Sequence, residues 1–313
     1  MAHYLVTGGA GFIGSTIVDE LRRRKEKVSV LDNYLTGQRE NLDDARDKIT
    51  IFEADIRNLE SIRACFAGVD YVVHLAALPS VPRSVADPIT SNAVNVDGTL
   101  NVLVAARDAR VKRVVFSGSS SVYGDNPTLP RVETHCPHPL SPYALTKLAG
   151  EYYCQVFHCL YGLETVVLRY FNIFGPRQDP DSPYTGVLSI FTAAYLRRQT
   201  PTIFGDGEQS RDFTYVENAV EATLQACVAP HAAGKTINVG AGGHQTLNET
   251  IRLFNKIFGY DVRPQYAPPR EGDVKHSFAD ISRAREWLDY HPRVGFEEGL
   301  RKTIEWHRSL NTG

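Results

Sequence analysis

The chain has 313 residues, of which 42% are hydrophobic and 22% charged, with a formal net charge of -2 at pH 7. This length suits one large domain or two smaller ones, and the small net charge gives no basis for binding nucleic acid or an anionic membrane surface. With no apolar run long enough to span a bilayer, no signal peptide and no CxxC pair among its five cysteines, we expect a cytoplasmic protein with neither a membrane partner nor a metal site.

Strands and helices alternate through the first half of the chain. In chain order, the pattern predicts the strand HYLVTG, the helix STIVDELRRRK, the strands KVSVLD and ITIFEAD, the helix NLESIRACFAG, the strand DYVVHLAA, a helix from about Asp87 to Ala109, the strand RVVFSGSS, the helix PYALTKLAGEYYCQVFHCLYG and the strand ETVVLRYFN. Apolar, β-branched strands that alternate with helices are typical of a parallel sheet covered on both faces. The sequence therefore predicts an α/β protein with a doubly wound parallel sheet of the Rossmann type.

The alternation weakens after about Asn172. The stretch FGPRQDPDSP predicts a loop, and the remainder mixes helices with short strands. We expect a nucleotide-binding domain over 1–172 and a smaller mixed substrate domain over 173–313, with segments at about 212–240 returning to the first domain. A cleft between the two would hold the ligands.

The stretch LVTGGAGFIGS places Gly8, Gly11 and Gly14 between the first strand and the first helix. Glycines at this turn let the backbone approach a pyrophosphate, and the free N–H groups and positive dipole end of the helix favour an anion there. Gly14 would also let the helix pack closely on the strand. A glycine-rich turn between strand and helix is common by itself, so the prediction needs its context.

Two acidic residues downstream of the glycine-rich turn supply this context. Asp32 ends the second strand about 20 residues later, where a carboxylate binds the adenosine ribose hydroxyls and repels a 2′-phosphate, which favours NAD over NADP. Asp55 ends the third strand. It could lie near the adenine or serve only as a loop cap.

A second pattern predicts acid–base chemistry. Tyr143 and Lys147 are four residues apart in a predicted helix, so both side chains lie on one face. Ser119 ends a strand at the edge of the sheet where ligands bind. Lys147 and a positive nicotinamide ring would move the pKa of Tyr143 toward neutral pH. The phenolate could then take a proton from a sugar hydroxyl that Ser119 also contacts.

The motifs together resemble the extended short-chain dehydrogenase/reductase family, in its nucleotide-sugar epimerase and dehydratase branch. The stretches that carry the resemblance stand in that family's order over nearly the whole chain: TGGAGFIGS, HLAA, NVDGTLNVL, SSSVYG, SPYALTK, RYFNIFGP and GDGEQSRDF. The resemblance implies a tightly held NAD, a UDP-sugar or other NDP-sugar substrate, and a homodimer formed through a four-helix bundle of the helices near 92–109 and Tyr143.

The resemblance also implies roles for individual residues. Catalysis would use Ser119, Tyr143 and Lys147. The residues implied for NAD are Gly8, Gly11, Phe12, Ile13, Gly14, Asp32, Asn33, Asp55, Ile56, Leu75, Ala76, Ala77, Tyr143, Lys147 and Tyr170. Those implied for the UDP-sugar are Ser120, Ser121, Asn172, Gln178, Gly186, Val187, Phe204, Arg211, Arg270, Asp273 and Ser277.

The reaction type follows from Ser120 and Ser121. The family's dehydratases and decarboxylases carry a carboxylate after the catalytic Ser or Thr, and two serines have no comparable basicity. We therefore expect a 4-epimerase that oxidises C4, lets the ketone rotate and returns the hydride to the other face. UDP-glucuronate 4-epimerase and NDP-sugar dehydratase remain alternatives, and a non-catalytic dinucleotide sensor is a remote one, since Tyr143 and Lys147 are present.

The sugar pocket bears on the substrate. Ser277 falls where the resemblance places a bulky tyrosine in strict UDP-glucose epimerases, so a small residue would leave room for an acetamido group. Ser120, Gln178 and Gly186 would line the same pocket. Pro79 replaces the glycine expected in the group that prefers N-acetylated sugars. UDP-GlcNAc/UDP-GalNAc, UDP-Glc/UDP-Gal, or both, are the expected substrates.

Overall fold

A central parallel sheet organises the chain. The computed structural model describes residues 1–178, 186–269 and 274–310. Strands β1 to β6 are His3–Thr7, Lys27–Asp32, Thr50–Glu53, Tyr71–His74, Arg113–Ser119 and Glu164–Tyr170; β7 to β14 are Ile173–Phe174, Thr202–Phe204, Ser210–Arg211, Thr214–Tyr215, Lys235–Val239, Gln245–Thr246, Gln265–Ala267 and His276–Ser277. Seven of them form one sheet, in the order β3-β2-β1-β4-β5-β6-β11, with every neighbouring pair parallel. The predicted fold class is confirmed.

Helices cover the sheet. Helices α1 to α6 are Phe12–Arg23, Leu59–Ile62, Val81–Ala86, Pro88–Asn92, Gly98–Asp108 and Pro142–Tyr161; α7 to α11 are Val187–Leu196, Val216–Val228, Leu247–Phe258, Ser282–Leu288 and Phe296–Leu310. The helix predicted over 87–109 is present as α4 and α5, joined by a π-helical turn at Ala93–Asp97. The helix predicted for NLESIRACFAG is shorter, because α2 gives way to a 3₁₀ turn at Arg63–Phe66. Helix α3 and the 3₁₀ segment Arg39–Lys48 have no counterpart in the prediction.

The two faces of the sheet bury separate apolar clusters. Side chains alternate between faces along a strand, so neighbouring residues pack into different clusters. Val6 and Val73 belong to the cluster that includes α1, α8 and the C-terminal part, whereas Leu5 and Val72 belong to the cluster that includes α5. This two-sided burial explains why the strands read as continuous apolar runs in the sequence.

Helix α6 carries the predicted Tyr143 and Lys147, and its ends are set by local sequence. The Ser141 side chain accepts a hydrogen bond from the Ala144 N–H, and Pro142 occupies the first turn, where its missing N–H costs nothing. Gly162 ends the helix with φ 68°. The helix packs on β5 and β6, which brings its inward face against the strand that ends at Ser119.

The C-terminal part is built from short strands and returns once to the main sheet. Strand β11 pairs with β6 after the chain has already left the sheet to form β7 to β10. A small sheet, β12-β9-β14, brings Arg211 opposite Ser277. Within the described ranges, no helix combines the length and the apolar character needed to cross a membrane.

Candidate active site

A cleft of roughly 1250 Å³ runs over the carboxyl ends of β1, β2, β4 and β5 and meets the C-terminal part. Such a volume exceeds the usual range for a single small ligand, which is about 300–1,000 Å³. Parallel sheets of this type bind ligands at the point where the strand order reverses, here between β1 and β4. The cleft therefore has the position and the size for a dinucleotide together with a second ligand.

The glycine loop forms one wall of this cleft and cannot carry side chains. A Cβ at Gly14 would lie 2.1 Å from the carbonyl oxygen of Gly8. A Cβ at Gly8, where φ is +71°, would lie 2.7 Å from the amide nitrogen of Ala76, which follows the neighbouring strand β4. The turn therefore packs backbone against backbone and leaves the first turn of α1 at the cleft. This close packing fits a bound pyrophosphate, as the sequence predicts.

Asp32 ties this loop to the segment after β2. Its side chain is buried and accepts hydrogen bonds from the N–H groups of Ala10 at 2.9 Å and Tyr34 at 2.8 Å. Burial raises the pKa of Asp32, while these backbone donors oppose the rise. Gly37 lies against the carboxylate, because a Cβ there would be 3.0 Å from Oδ2. Asp32 therefore has a structural role in the loop besides the predicted role toward ribose.

The Asp55 side chain is held by its own loop and does not line the cleft. Its neighbours Ala54 and Ile56 line the cleft, but Asp55 is not among the lining residues. The Arg57 guanidinium lies 2.7 Å from its carboxylate and lowers its pKa to about 2. Asn33 donates a further hydrogen bond to it at 2.9 Å. These contacts fit a loop cap, and the predicted position of Asp55 near the adenine stays a prediction.

The remaining residues predicted for the dinucleotide lie together. The residues that line the cleft from this group are Gly8, Gly11, Phe12, Ile13, Gly14, Asp32, Asn33, Ile56, Leu75, Ala76, Ala77, Tyr143, Lys147 and Tyr170. A further segment of this wall, which the sequence did not predict, contributes Thr36, Gly37, Gln38 and Asn41. The stretch NYLTG, directly after Asp32, could have indicated this segment, because a glycine so close to a buried carboxylate suggests a tight contact.

Ser119, Tyr143 and Lys147 meet at the centre of the cleft. Lys147 is buried, and its Nζ donates a hydrogen bond to the Ser117 carbonyl on β5 at 2.8 Å. The same Nζ lies 5.9 Å from the centre of the Tyr143 ring. The Ser119 Oγ accepts a hydrogen bond from the Ser121 Oγ at 2.8 Å. A helix face and a strand end thus bring the three predicted catalytic side chains together.

Burial has the largest effect on the pKa of both Tyr143 and Lys147. Burial raises the pKa of the Tyr143 hydroxyl, and Ser119 opposes the rise. Burial lowers the pKa of Lys147 to about 8. Lys147 lies beside the ring, and its hydrogen bond goes to Ser117. The predicted shift of Tyr143 toward neutral pH, which also requires a positive nicotinamide ring, stays a prediction.

Most residues predicted for the second ligand lie on the other side of the same cleft. Those that line it are Ser120, Ser121, Asn172, Gln178, Gly186, Arg211 and Ser277. Val187 and Phe204 line an adjoining pocket of roughly 630 Å³, which shares four of these residues with the cleft. Arg270 and Asp273 lie outside the described residues. Pro79 lines the cleft as well.

Asp212 connects these residues and was missed by the sequence analysis. Its backbone N–H donates to the Ser277 carbonyl at 2.9 Å, and its carbonyl accepts from the Asn172 side chain at 3.0 Å. Its buried carboxylate accepts from the N–H groups of Ala241, Gly242 and Ala279, and burial raises its pKa to about 6. No local pattern could predict these partners, which lie 29 to 67 residues away.

Among the described residues, no group of three or more His, Cys, Asp or Glu side chains is arranged to hold a metal ion. The polar groups of the cleft include the serines, Tyr143, Lys147, Asn172, Gln178, Arg211 and the carboxylate at the end of β2. These groups can bind, orient and exchange protons with a hydroxylated ligand.

Known proteins resemble the chain over nearly its full length. The model of the NAD dependent epimerase/dehydratase family matches residues 4–240. The UDP-glucose 4-epimerase of Mycolicibacterium smegmatis is 41% identical over 310 residues, which cover 97% of this chain and 98% of that protein. The structure of a UDP-glucose 4-epimerase from Thermotoga maritima, with UDP-glucose, superposes with a TM-score of 0.94 at 41% identity and covers 99% of both chains.

A second solved structure is equally similar but carries a different substrate name. The UDP-N-acetylglucosamine 4-epimerase from Methanobrevibacter ruminantium M1, in complex with UDP-N-acetylmuramic acid, superposes with a TM-score of 0.94 at 42% identity and covers 99% of both chains. The family match, the full-length relatives and the geometry of the cleft agree with the resemblance seen in the sequence motifs. The chain therefore belongs to the NAD dependent epimerase/dehydratase family and is an NAD-dependent enzyme.

Proposed function

We propose that this protein is a UDP-hexose 4-epimerase that interconverts UDP-GlcNAc and UDP-GalNAc, UDP-Glc and UDP-Gal, or both pairs. The observation that carries the proposal is the combination of Tyr143 and Lys147 with serines at 120 and 121 in one cleft. A serine has no basicity comparable to a carboxylate, so neither Ser120 nor Ser121 can abstract a carbon-bound proton. Proton exchange at the sugar hydroxyl is the chemistry that remains.

In the proposed reaction, Tyr143 takes the proton from the C4 hydroxyl of the sugar and later returns it. NAD, held by the glycine loop and Asp32, would supply the acceptor and donor for the C4 hydride. Ser119 would hydrogen-bond the same oxygen, and the Lys147 charge would favour the phenolate form of Tyr143. Because burial raises the pKa of Tyr143, both Ser119 and nearby positive charge are needed for this role.

The second wall of the cleft would hold the UDP-sugar. Arg211 and Asn172 would contact the diphosphate, and Phe204 in the adjoining pocket would contact the uracil. Arg270 and Asp273 are assigned to phosphate and ribose by the family resemblance alone. In this proposal, residues 1–172 with the returning segments near 212–240 hold NAD, and the rest of 173–313 holds the UDP-sugar.

The small side chain of Ser277 supports activity on N-acetylated sugars. Ser277 lines the cleft together with Gln178 and Gly186. Pro79, which also lines the cleft, is the feature that would narrow it. The two similar structures named above carry UDP-glucose and UDP-N-acetylglucosamine in their names, so relatives of this chain differ in the same choice.

A second copy of the chain is the proposed partner. Helix α6 exposes Leu145, Tyr152, Val156 and Leu160, and α4 exposes Ile89 beside it. These exposed apolar side chains on adjacent helices suit an interface between two copies of the chain. Two helices from each copy would then form a four-helix bundle.

The test is product analysis by NMR after separate incubations with UDP-Glc, UDP-GlcNAc and UDP-GlcA, with no NAD added. We expect conversion of UDP-Glc or UDP-GlcNAc to its C4 epimer, and in D₂O no deuterium at any sugar carbon. Conversion of UDP-GlcA alone would favour a glucuronate 4-epimerase. Deuterium at C5 would contradict the proposed mechanism and favour a dehydratase-type step.

A further inference from the structure

A buried ion pair lies directly behind the proposed catalytic lysine. Glu151 on α6 and Arg169 on β6 are 1% and 4% exposed. The Glu151 carboxylate accepts hydrogen bonds from Arg169 Nε at 3.0 Å and from Arg169 Nη2 at 2.8 Å. Removing two charges from water costs several kcal/mol for each ion, and a hydrophobic pair of similar size often packs as well. A role beyond packing would explain why the chain keeps two buried charges here despite the free-energy cost of removing them from water.

The geometry connects this pair to Lys147. Tyr143, Lys147 and Glu151 are spaced by four residues, so they follow one face of α6. A Cβ added at Gly118 would lie 3.2 Å from Glu151 Oε1. Gly118 directly follows Ser117, whose carbonyl accepts the hydrogen bond from Lys147 Nζ. The carboxylate thus reaches the same short piece of β5 that holds the lysine.

Among the described residues, the other groups found close to Lys147 on β4, α6 and β5 are neutral. His74 on β4 is buried between Thr7 and Thr99, and burial lowers its pKa to about 3. Burial raises the pKa of the Cys154 thiol on α6, and β5 contributes the Phe116 ring, 5.1 Å from Nζ.

The neighbouring elements add neutral hydrogen-bonding groups, and α3 also carries the charged Arg83, which lines the same cleft. From the π-helical turn, Asn95 donates to Thr146, and from α3 the Ser84 hydroxyl accepts from the Tyr143 N–H. Tyr123 lies under Arg169, with its ring centre 4.7 Å from the guanidinium, and burial raises its pKa to about 12.

We propose that Glu151 is a positioning residue that keeps Lys147 protonated, while Arg169 holds the carboxylate in place against β5. The inference rests on the proposed function, in which the charge of Lys147 favours the phenolate of Tyr143. Burial lowers the pKa of Lys147, and the negative charge of Glu151 opposes this effect. Burial alone would lower the pKa of Arg169, yet its hydrogen bonds to Glu151 raise it, so Arg169 stays charged.

The test is the substitution Glu151→Gln, which keeps the shape and removes the charge. The first readout is the titration of Lys147 in the NAD-loaded protein, followed by ¹³C NMR of ε-labelled lysine and assigned by its loss in Lys147→Met. An opposite charge within about 4–6 Å changes a pKa by about 1–3 units, so at the low end of this range we expect the Lys147 titration to move down by roughly one pH unit. The alkaline limb of the kcat profile should move down with it.

Two further variants separate this role from folding. Glu164→Gln is the matched control, because Glu164 also pairs with a buried arginine, Arg113, but at the opposite ends of β5 and β6. It should leave the Lys147 titration unchanged. In Glu151→Gln/Arg169→Met, no unpaired arginine is left buried, so this protein should fold even where the single variant does not. Its Lys147 titration should still lie below that of the wild type.

A wild-type Lys147 titration and pH profile in the Glu151→Gln and double variants would overturn the proposal and leave the pair with a structural role only. An equal shift in Glu164→Gln would do the same. The NMR titration does not depend on sugar turnover. A wild-type protein that fails to epimerise any UDP-hexose would therefore contradict the proposed function, while the Lys147 titration would still report on Glu151.

Discussion

Replacing Ser277 with tyrosine tests the sugar pocket directly. Strand β14 holds the Ser277 backbone opposite Arg211, and its carbonyl accepts the Asp212 N–H at 2.9 Å. The backbone is therefore fixed, and a larger side chain must enter the cleft on the wall that also carries Gln178 and Gly186. In the proposed reaction the sugar turns within this space, and an acetamido group sweeps a wider path than a hydroxyl.

The size of the effect follows from the packing. Filling a packed site with extra atoms costs typically ~1–3 kcal/mol, and most of this cost should fall on the larger substrate. Discrimination between the two substrate pairs should then shift by roughly 10- to 100-fold. We expect Ser277→Tyr to lose most of its activity on UDP-GlcNAc and UDP-GalNAc and to keep its activity on UDP-Glc and UDP-Gal.

The assay is kcat/KM for both substrate pairs in the wild type, in Ser277→Tyr and in Ser277→Ala. The alanine variant is the control, because it removes the hydroxyl without filling the space, and it should leave the ratio between the pairs near that of the wild type. Equal losses on both pairs in the tyrosine variant would refute a gating role for Ser277. An equal change of the ratio in the alanine variant would show that the hydroxyl acts by hydrogen bonding instead.

Three further predictions test the other parts of the site. Tyr143→Phe should lower kcat by roughly 10²–10⁴-fold with UDP binding little changed, measured by kinetics and calorimetry; near wild-type turnover would mean that another group accepts the proton. Asp32→Ala should release NAD more readily and relax the bias against NADP, since it removes both the negative charge and the acceptor for the Ala10 and Tyr34 N–H groups; an unchanged preference in fluorescence titrations would exclude Asp32 from the cofactor site. Leu160→Glu, on the exposed face of α6, should shift the protein toward the monomer in light scattering at low concentration, and an unchanged mass would place the interface elsewhere.

The sequence predicted what depends on local periodicity. The strands and most helices of the first half were found because each is a short apolar run between turn residues, and the glycine loop because its spacing is itself the chemical signal. The spacing of Tyr143 and Lys147 predicted a shared helix face for the same reason. Predicting these features requires only residues that lie close to each other in the sequence.

The parts that were missed depend on contacts between distant segments. The partners of Asp212 lie in three separate stretches, and Glu151 meets Arg169 across a helix and a strand 18 residues apart. The burial that raises the pKa of Tyr143 could not be predicted from the sequence either, because it depends on how distant segments pack around the ring. The π-helical turn at Ala93–Asp97 interrupts a sequence that reads as one continuous helix.

The place of β11 at the edge of the sheet has a consequence for how the chain can be divided. Five residues of β11 pair with β6, from Lys235 opposite Val166 to Val239 opposite Tyr170. A fragment that stopped at Tyr170 would expose the whole length of β6 as an unpaired edge, which is a template for pairing with other chains. Such a fragment should aggregate, whereas one extended through residue 240 keeps its edge strand. The central sheet is therefore complete only after the chain has been synthesised through β11.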